Sequence, residues 1–378
     1  MKTYCTLLKS ALVWILFWSG AQIGCAQNPN LNYNRFKQLK EEVPTPNAYR
    51  TAAGAPGHKY FQQQADYVIH IELDEENDRI SGSETITYHN NSPHPLAYLW
   101  LQLDQNVRAP HADSKIINPN SINENAPKRS LAMLQHYSLY DFEGGFNITE
   151  VTDINGHTLP YTINKTMMRL DLAAPLPPGE TVQLKIKWWY NVNDRMAIGG
   201  RSGYEYFEED GNKLYTIAQF YPRMAVYNDV EGWQNKQFLG QGEFALTFGN
   251  FDIKITVPSD HILGATGTLQ NPASVLNKKQ LKQLKQARKT FDKPVIIVSE
   301  EEAIENEKTR ETQKKTWHFK AENVRDFAFA ASRKFIWDAM VVKLPGGGTT
   351  MAMSLYPKEG NPLWEEYSTR VVAHTLKT

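Results

Sequence analysis

From Asp66 onward the chain alternates apolar and polar positions with a period of two. Tyr67, Ile69, Ile71 and Leu73 are interleaved with Val68, His70 and Glu72, as in a strand with one buried face. Ile86 and Tyr88 continue the pattern, and Leu99, Leu101 and Leu103 share a face. Val182, Leu184, Ile186 and Trp188 alternate with Gln183, Lys185 and Lys187; Phe251, Ile253, Ile255 and Val257 alternate with Asp252, Lys254 and Thr256. Turn-forming runs separate these stretches: Asn90-Asn91-Ser92-Pro93, Asn155-Gly156, Pro177-Pro178-Gly179 and Asp210-Gly211. Many short strands punctuated in this way predict an antiparallel sandwich or a barrel-like sheet.

Helical spacing appears later. Residues 277–290 place Leu281 and Leu284 on an otherwise basic surface, which predicts a short solvated helix in an insertion, with a basic binding patch as the weaker alternative. The mixed-charge run 300–315 predicts a long exposed hairpin connection whose charges serve solvation. After Trp337 the alternation fades, and Leu344-Pro345-Gly346-Gly347-Gly348 reads as a flexible connection or a tight turn near a domain boundary. Asn361-Pro362 then opens a helix, with Asn361 as cap, proline at the first helical position, and Glu365 and Glu366 at the positive end of the dipole. Leu363, Tyr367, Val371 and His374 or Thr375 form one face, beside Trp364 and Leu376. An isolated helix of this length is marginal in water, so its uncovered apolar face suggests a chain that normally continues; docking on the sandwich is the alternative.

Residues 1–26 have the form of an export signal. Lys2 and Lys9 precede the apolar run Ala11 to Trp18, which is too short to span a bilayer, and the small residues Gly24, Cys25 and Ala26 follow. Cleavage after Ala26 is the favoured reading; a lipid anchor at Cys25 is the alternative, for which Gln22 is a poor match. The product would be periplasmic or secreted, or else an outer-membrane lipoprotein. The two cysteines, Cys5 and Cys25, both lie in this segment, so the processed chain has neither a disulfide framework nor a thiolate metal site. Lysine plus arginine equals aspartate plus glutamate at 41 each. Removing residues 1–26 takes away two lysines and no acid, leaving 39 basic against 41 acidic residues. Such a balance gives no field to attract nucleic acid. Residues 27–65 are polar with scattered Pro, Asn and Gly, and read as a mobile leader.

Three segments in order resemble the aminopeptidase N family of zinc metallopeptidases, in particular its exported bacterial branch. They are Ile86 to Asn106 (ITYHNNSPHPLAYLWLQLDQN), Tyr215 to Pro258 (YTIAQFYPRMAVYNDVEGW, then QGEFALTFGNFDIKITVP), and Asn323 to Thr378, with NVRDFAFAAS and SLYPKEGNPLW. The resemblance spans most of residues 66–378 and implies a mainly β fold: a saddle-shaped antiparallel β-sandwich amino-terminal domain over 66–340, with a charged insertion near 277–315. Residues 341–378 would then be the truncated start of a thermolysin-like α/β catalytic domain.

Family chemistry requires H-E-x-x-H on a helix, two imidazoles for zinc and a glutamate beside the metal-bound water. None of the ten histidines here is followed by glutamate. Gly346 to Met353 superficially resembles the family's G-x-M-E strand, but no glutamate follows Met351 or Met353, and the match is rejected. The expectation is therefore an amino-terminal portion of an exported aminopeptidase, without zinc or catalytic residues and inactive alone; zinc and peptide substrates belong to the complete family protein. One family element is matched: the β domain contributes an acidic or amide side chain to the site for the free amino terminus, and Gln219 is the candidate. An ordinary strand glutamine is its plain alternative.

A secreted, non-catalytic β-sandwich module binding peptide or glycan is the competing function, with Trp188-Trp189-Tyr190 and Tyr204-Tyr206-Phe207 as stacking surfaces. A carboxylate-pair hydrolase using Glu208, Glu209 and Asp210 has little support, since adjacent acids before Gly211 fit a hairpin turn in water.

Overall fold

The computed structural model describes residues 46–115, 125, 128, 142–240 and 245–378. The export signal with Cys25, the first part of the leader and His136 lie outside the described residues. The chain divides into two units, residues 1–61 and 62–378. In the first, Asn47 Oδ1 accepts the amide N–H groups of Tyr49 and Arg50, and Tyr49 meets Phe61 edge-on.

In the second unit the strands are β1 (Gln64–Asp74), β2 (Arg79–His89), β3 (Leu96–Gln102), β4 (Asn147–Asp153), β5 (Tyr161–Asn164), β6 (Met167–Leu176), β7 (Thr181–Asn191), β8 (Gly203–Phe207), β9 (Asn212–Ile217) and β10 (Arg223–Met224). There follow β11 (Tyr227–Asn228), β12 (Gly232–Trp233), β13 (Gly249–Pro258), β14 (Ile262–Ala265), β15 (Thr268–Leu269), β16 (Val295–Val298), β17 (Lys314–Val324), β18 (Phe329–Ser332), β19 (Phe335–Lys343) and β20 (Thr349–Pro357). Helices are α1 (Arg195–Ile198), α2 (Pro272–Val275), α3 (Lys278–Ala287), α4 (Glu300–Glu307) and α5 (Leu363–Thr375). The fold is mainly β.

A seven-stranded sheet runs β15-β17-β13-β1-β2-β7-β4. Its pairs are antiparallel except β1 with β13, which run parallel with Tyr67 opposite Phe251 and Ile69 opposite Ile253. The alternation seen in the sequence is the burial pattern: Tyr67, Ile69, Ile71 and Leu73 are buried, as are Leu184, Ile186, Trp188 and Tyr190. These side chains share one core with Leu99 and Leu101 of β3 and Met168 and Leu170 of β6, from the four-stranded sheet β10-β3-β6-β5. Gly82 is the exception that makes room, because a Cβ there would lie 2.6 Å from the Trp188 ring. Trp188 and Tyr190 are thus core residues. Trp189 faces outward, but Arg79 stacks on it at 4.1 Å, so the stacking surface expected of this run is not free.

The remaining elements correct several expectations. The run 300–307 is a helix, with Ser299 and Glu302 forming a reciprocal capping box and three glutamates in its first turn. Helix α3 is not simply solvated: Leu284 and Ala287 join the main core, with Leu281 against it. Strand β19 lost its alternation because both of its faces are covered. Ile336 packs with Ala303 of α4, Met340 and Val342 with Ala373 of α5, while Trp337 and Ala339 join the main core. Leu344–Gly348 is the tight turn of the β19–β20 hairpin, which crosses position 340, with Gly347 and Gly348 at positive φ.

Helix α5 is docked mainly by small residues, with Trp364 meeting Tyr356 of β20 edge-on. Ala373 and Thr369 face the sheet, and Thr369 Oγ1 donates to buried Asp338, which also accepts from Tyr356 Oη at 2.8 Å. Leu363, Trp364, Tyr367 and Val371 remain exposed. Pro362, expected as the first helical residue, instead occupies the cap position and the helix begins at Leu363, so Asn361 lies one residue before the cap, although its Oδ1 accepts the Glu365 N–H at 3.3 Å.

Candidate functional site

Gln219 lies in the connection between β9 and β10, and its backbone is left-handed, with φ of 56°. For a long L side chain this conformation costs about 1–2 kcal/mol and persists only where surrounding contacts impose it. Here they do. Ser202 Oγ accepts the Ala218 N–H at 3.1 Å. Gln105 Nε2 donates to two successive carbonyls, Ala218 O at 3.1 Å and Gln219 O at 3.0 Å. Trp188 Nε1 donates to Phe220 O at 2.9 Å, and Tyr67 Oη accepts the Met224 N–H at 3.0 Å. Among the described residues the half-buried side-chain amide of Gln219 has no hydrogen-bond partner. Its backbone is held from several sides, while no described residue engages its side-chain amide.

Gln105 itself is 2% exposed, on the short 3-10 turn Asp104–Arg108 that follows β3. Its amide orientation is fixed by Arg108, whose Nη1 donates to Gln105 Oε1 at 3.0 Å, so that Nε2 must face the Ala218 and Gln219 carbonyls. The same turn supplies Asp104 to an ionic group centred on buried Arg223. Arg223, 5% exposed, donates from Nε to Asp104 Oδ2 at 3.0 Å and from Nη1 to Asp326 Oδ2 at 2.7 Å. Tyr221 Oη donates to the other oxygen of Asp326 at 2.9 Å. Burial works against the charge on Arg223, but Asp104 and Asp326 outweigh it and raise its pKa. Burial pushes the Asp104 carboxyl up against the pull of Arg223.

A second ionic group lies elsewhere. Asp210, Glu307 and Glu359 each offer an oxygen, with these atoms within 4.8 Å of one another. Lys334, 0% exposed, donates to Glu307 at 2.8 Å and to Asp210, and lies 2.9 Å from Glu359; Lys358 donates to both Glu307 oxygens at 2.6 Å. Two ammonium groups already occupy the space between three carboxylates. The donor set is all oxygen and lacks the imidazole or thiolate preferred by zinc. It does not fit the metal implied by the family resemblance, and no other such convergence occurs among the described residues.

Next to it Arg333 forks onto Glu75 at 2.6 and 2.7 Å and reaches Asp260 at 3.1 Å, with buried His261 3.6 Å from Glu75. Burial opposes ionising Glu75, but His261 and Arg333 overcome it and lower its pKa.

Glu208 and Glu209 are exposed on the β8–β9 turn, and Asp210 alone of that trio is engaged. The described histidines do not gather: His89 pairs with Asp66, His157 with Asp153 and His318 with Asp252. The sequence offered Gln219 as a candidate but gave no notice of Gln105, Arg108, Ser202 or the Asp104–Arg223–Asp326 group around it. The available signal was polar Asp104-Gln105-Asn106, immediately after Leu99, Leu101 and Leu103, and all three polar residues prove buried.

No sequence-family model matches the chain, and no curated protein sequence does. Among solved structures, a mutant M1 zinc metallopeptidase from Deinococcus radiodurans bound to a Tyr-Ser-Ala substrate is similar at 14% identity and a TM-score of 0.42, covering 82% of this chain and 52% of that one. A mutant two-domain M1 zinc metallopeptidase bound to L-tryptophan is similar at 13% identity and a TM-score of 0.43, covering 84% and 54%. This chain spans about half the length of the solved structures it matches. Similarity at this level implies no activity, substrate or ligand for it. No described helix is long and apolar enough to cross a membrane.

Proposed function

We propose that the chain is the amino-terminal, β-rich portion of an exported zinc aminopeptidase, and that Gln219 is its contribution to recognition of a substrate's free amino terminus. The reading rests on the family resemblance of Tyr215 to Pro258, and the observation that carries it is Gln219 itself. A strained, non-glycine backbone held by buried partners, with a side-chain amide that has no partner among the described residues, is an arrangement that ordinary strand packing does not require. An amide oxygen can accept from an ammonium group without being neutralised by it. The zinc ligands and the glutamate that activates water belong to the complete protein, since this sequence contains no H-E-x-x-H. The exposed apolar residues of α5 would be covered by the remainder of that catalytic domain.

The test uses the chain labelled with 15N at glutamine, following the Gln219 side-chain amide by NMR. Titration with alanylalanine amide should shift that resonance, and N-acetyl-alanylalanine amide should not. Identical responses to the two, or none, would sink the assignment of Gln219 to amine recognition.

A further inference from the structure

We infer that Gln105 is the positioning residue for Gln219: its buried carboxamide holds the 218–219 carbonyl pair and thereby the left-handed turn that presents the Gln219 side chain. This deepens the reading of Gln219 above and rests on it. Three geometric facts support the assignment. One Nε2 group reaches two successive carbonyls, at 3.1 and 3.0 Å, and so ties down the peptide groups on either side of the Gln219 Cα. Arg108 holds Oε1 at 3.0 Å and so removes the alternative orientation of the amide, which would turn an acceptor toward those carbonyls. Ser202 holds the peptide before these two, its Oγ accepting the Ala218 N–H. Gln105 is separated from Gln219 by more than a hundred residues, so the contact is tertiary rather than a by-product of a local turn.

The decisive variant is Gln105→Glu, which keeps the shape and the acceptor for Arg108 but replaces the amide donor with a second oxygen facing two carbonyls. Gln105→Ala is the second variant, in case the buried carboxylate prevents folding. For each, thermal unfolding reports whether the chain is folded, and the 15N-glutamine titration is repeated with alanylalanine amide and its N-acetyl counterpart. A folded variant with the free-amine response weakened about tenfold, as expected for loss of one or two hydrogen bonds, supports the positioning role. A merely structural role would lower the melting temperature and leave the difference between free and acetylated ligand intact. If the wild-type chain responds and both variants respond equally, the role of Gln105 is overturned while Gln219 keeps its assignment. If the wild-type chain itself does not distinguish the two ligands, Gln219 loses its assignment and Gln105 loses its role with it.

Discussion

Glu84 offers a stability test that depends on a single side chain. It sits on the inward face of β2, opposite Ile69 of β1 and Ile186 of β7, and is 3% exposed. Neither carboxylate oxygen has a hydrogen-bond partner among the described residues. Burial raises its pKa well above the ordinary 4.5, so the carboxyl is neutral where an exposed glutamate is charged. The sign follows from linkage. Above pH 4.5 the unfolded chain releases this proton and the folded chain retains it, so stability falls as pH rises until the raised folded value is reached. Each pH unit in that window costs about 1.4 kcal/mol. Glu84→Gln is nearly isosteric and never ionises, and it leaves the other titrating groups in place, so the difference between the two proteins isolates Glu84. Guanidinium unfolding at pH 5, 6 and 7 should show Glu84→Gln gaining on wild type by about 1.4 kcal/mol between pH 5 and pH 6. A stability difference that stays constant from pH 5 to pH 7 would refute the reasoning, because it would mean that Glu84 titrates alike in both states.

Other expectations come from the same packing. Lys334→Met leaves Asp210, Glu307 and Glu359 with Lys358 alone, and should lower stability by about 3–5 kcal/mol, read by thermal unfolding at neutral pH, with partial recovery in acid as carboxylates protonate. Gly82→Ala forces a methyl group against the Trp188 ring and Ile71, and should cost about 1–3 kcal/mol, accompanied by a change in tryptophan fluorescence. Burial lowers the pKa of His261 from 6.5, so the folded state resists a proton that the unfolded state accepts. Wild type should therefore lose stability relative to His261→Gln as pH falls from 7 to 5, measured by guanidinium unfolding; a loss on raising the pH would oppose this assignment.

Elements with one wet face were legible in the sequence, because burial and hydropathy carry the same period. Strands β1, β7 and β13 are the clear cases. Strand β19 was not, since a strand covered on both sides has no polar alternation to betray it. Helix α4 was hidden by its composition: its acids look like solvation, and only the Ser299-to-Glu302 spacing marks the capping box. That same segment concealed Glu307, which reads as one more surface charge until Lys334, from the far side of β17 and β18 in the chain, is seen to meet it. The large apolar residues of α5 were legible as one face, but the contact with the sheet was not, because small Ala373 and the hydroxyl of Thr369 make it. Gln219 could be named from the resemblance around it. Its left-handed backbone and its clamp could not, because Gln105 and Ser202 reach it only through tertiary pairing.

The central proposal is a peptidase portion without its own hydrolytic centre, and its most direct test is zinc content and turnover on one preparation. The chain freed of residues 1–26 would be purified, analysed for bound zinc and assayed for hydrolysis of amino-acid arylamides. Folded protein with neither stoichiometric zinc nor turnover is the expected result. One zinc per chain together with turnover would contradict the account and require a ligand set that this sequence does not announce.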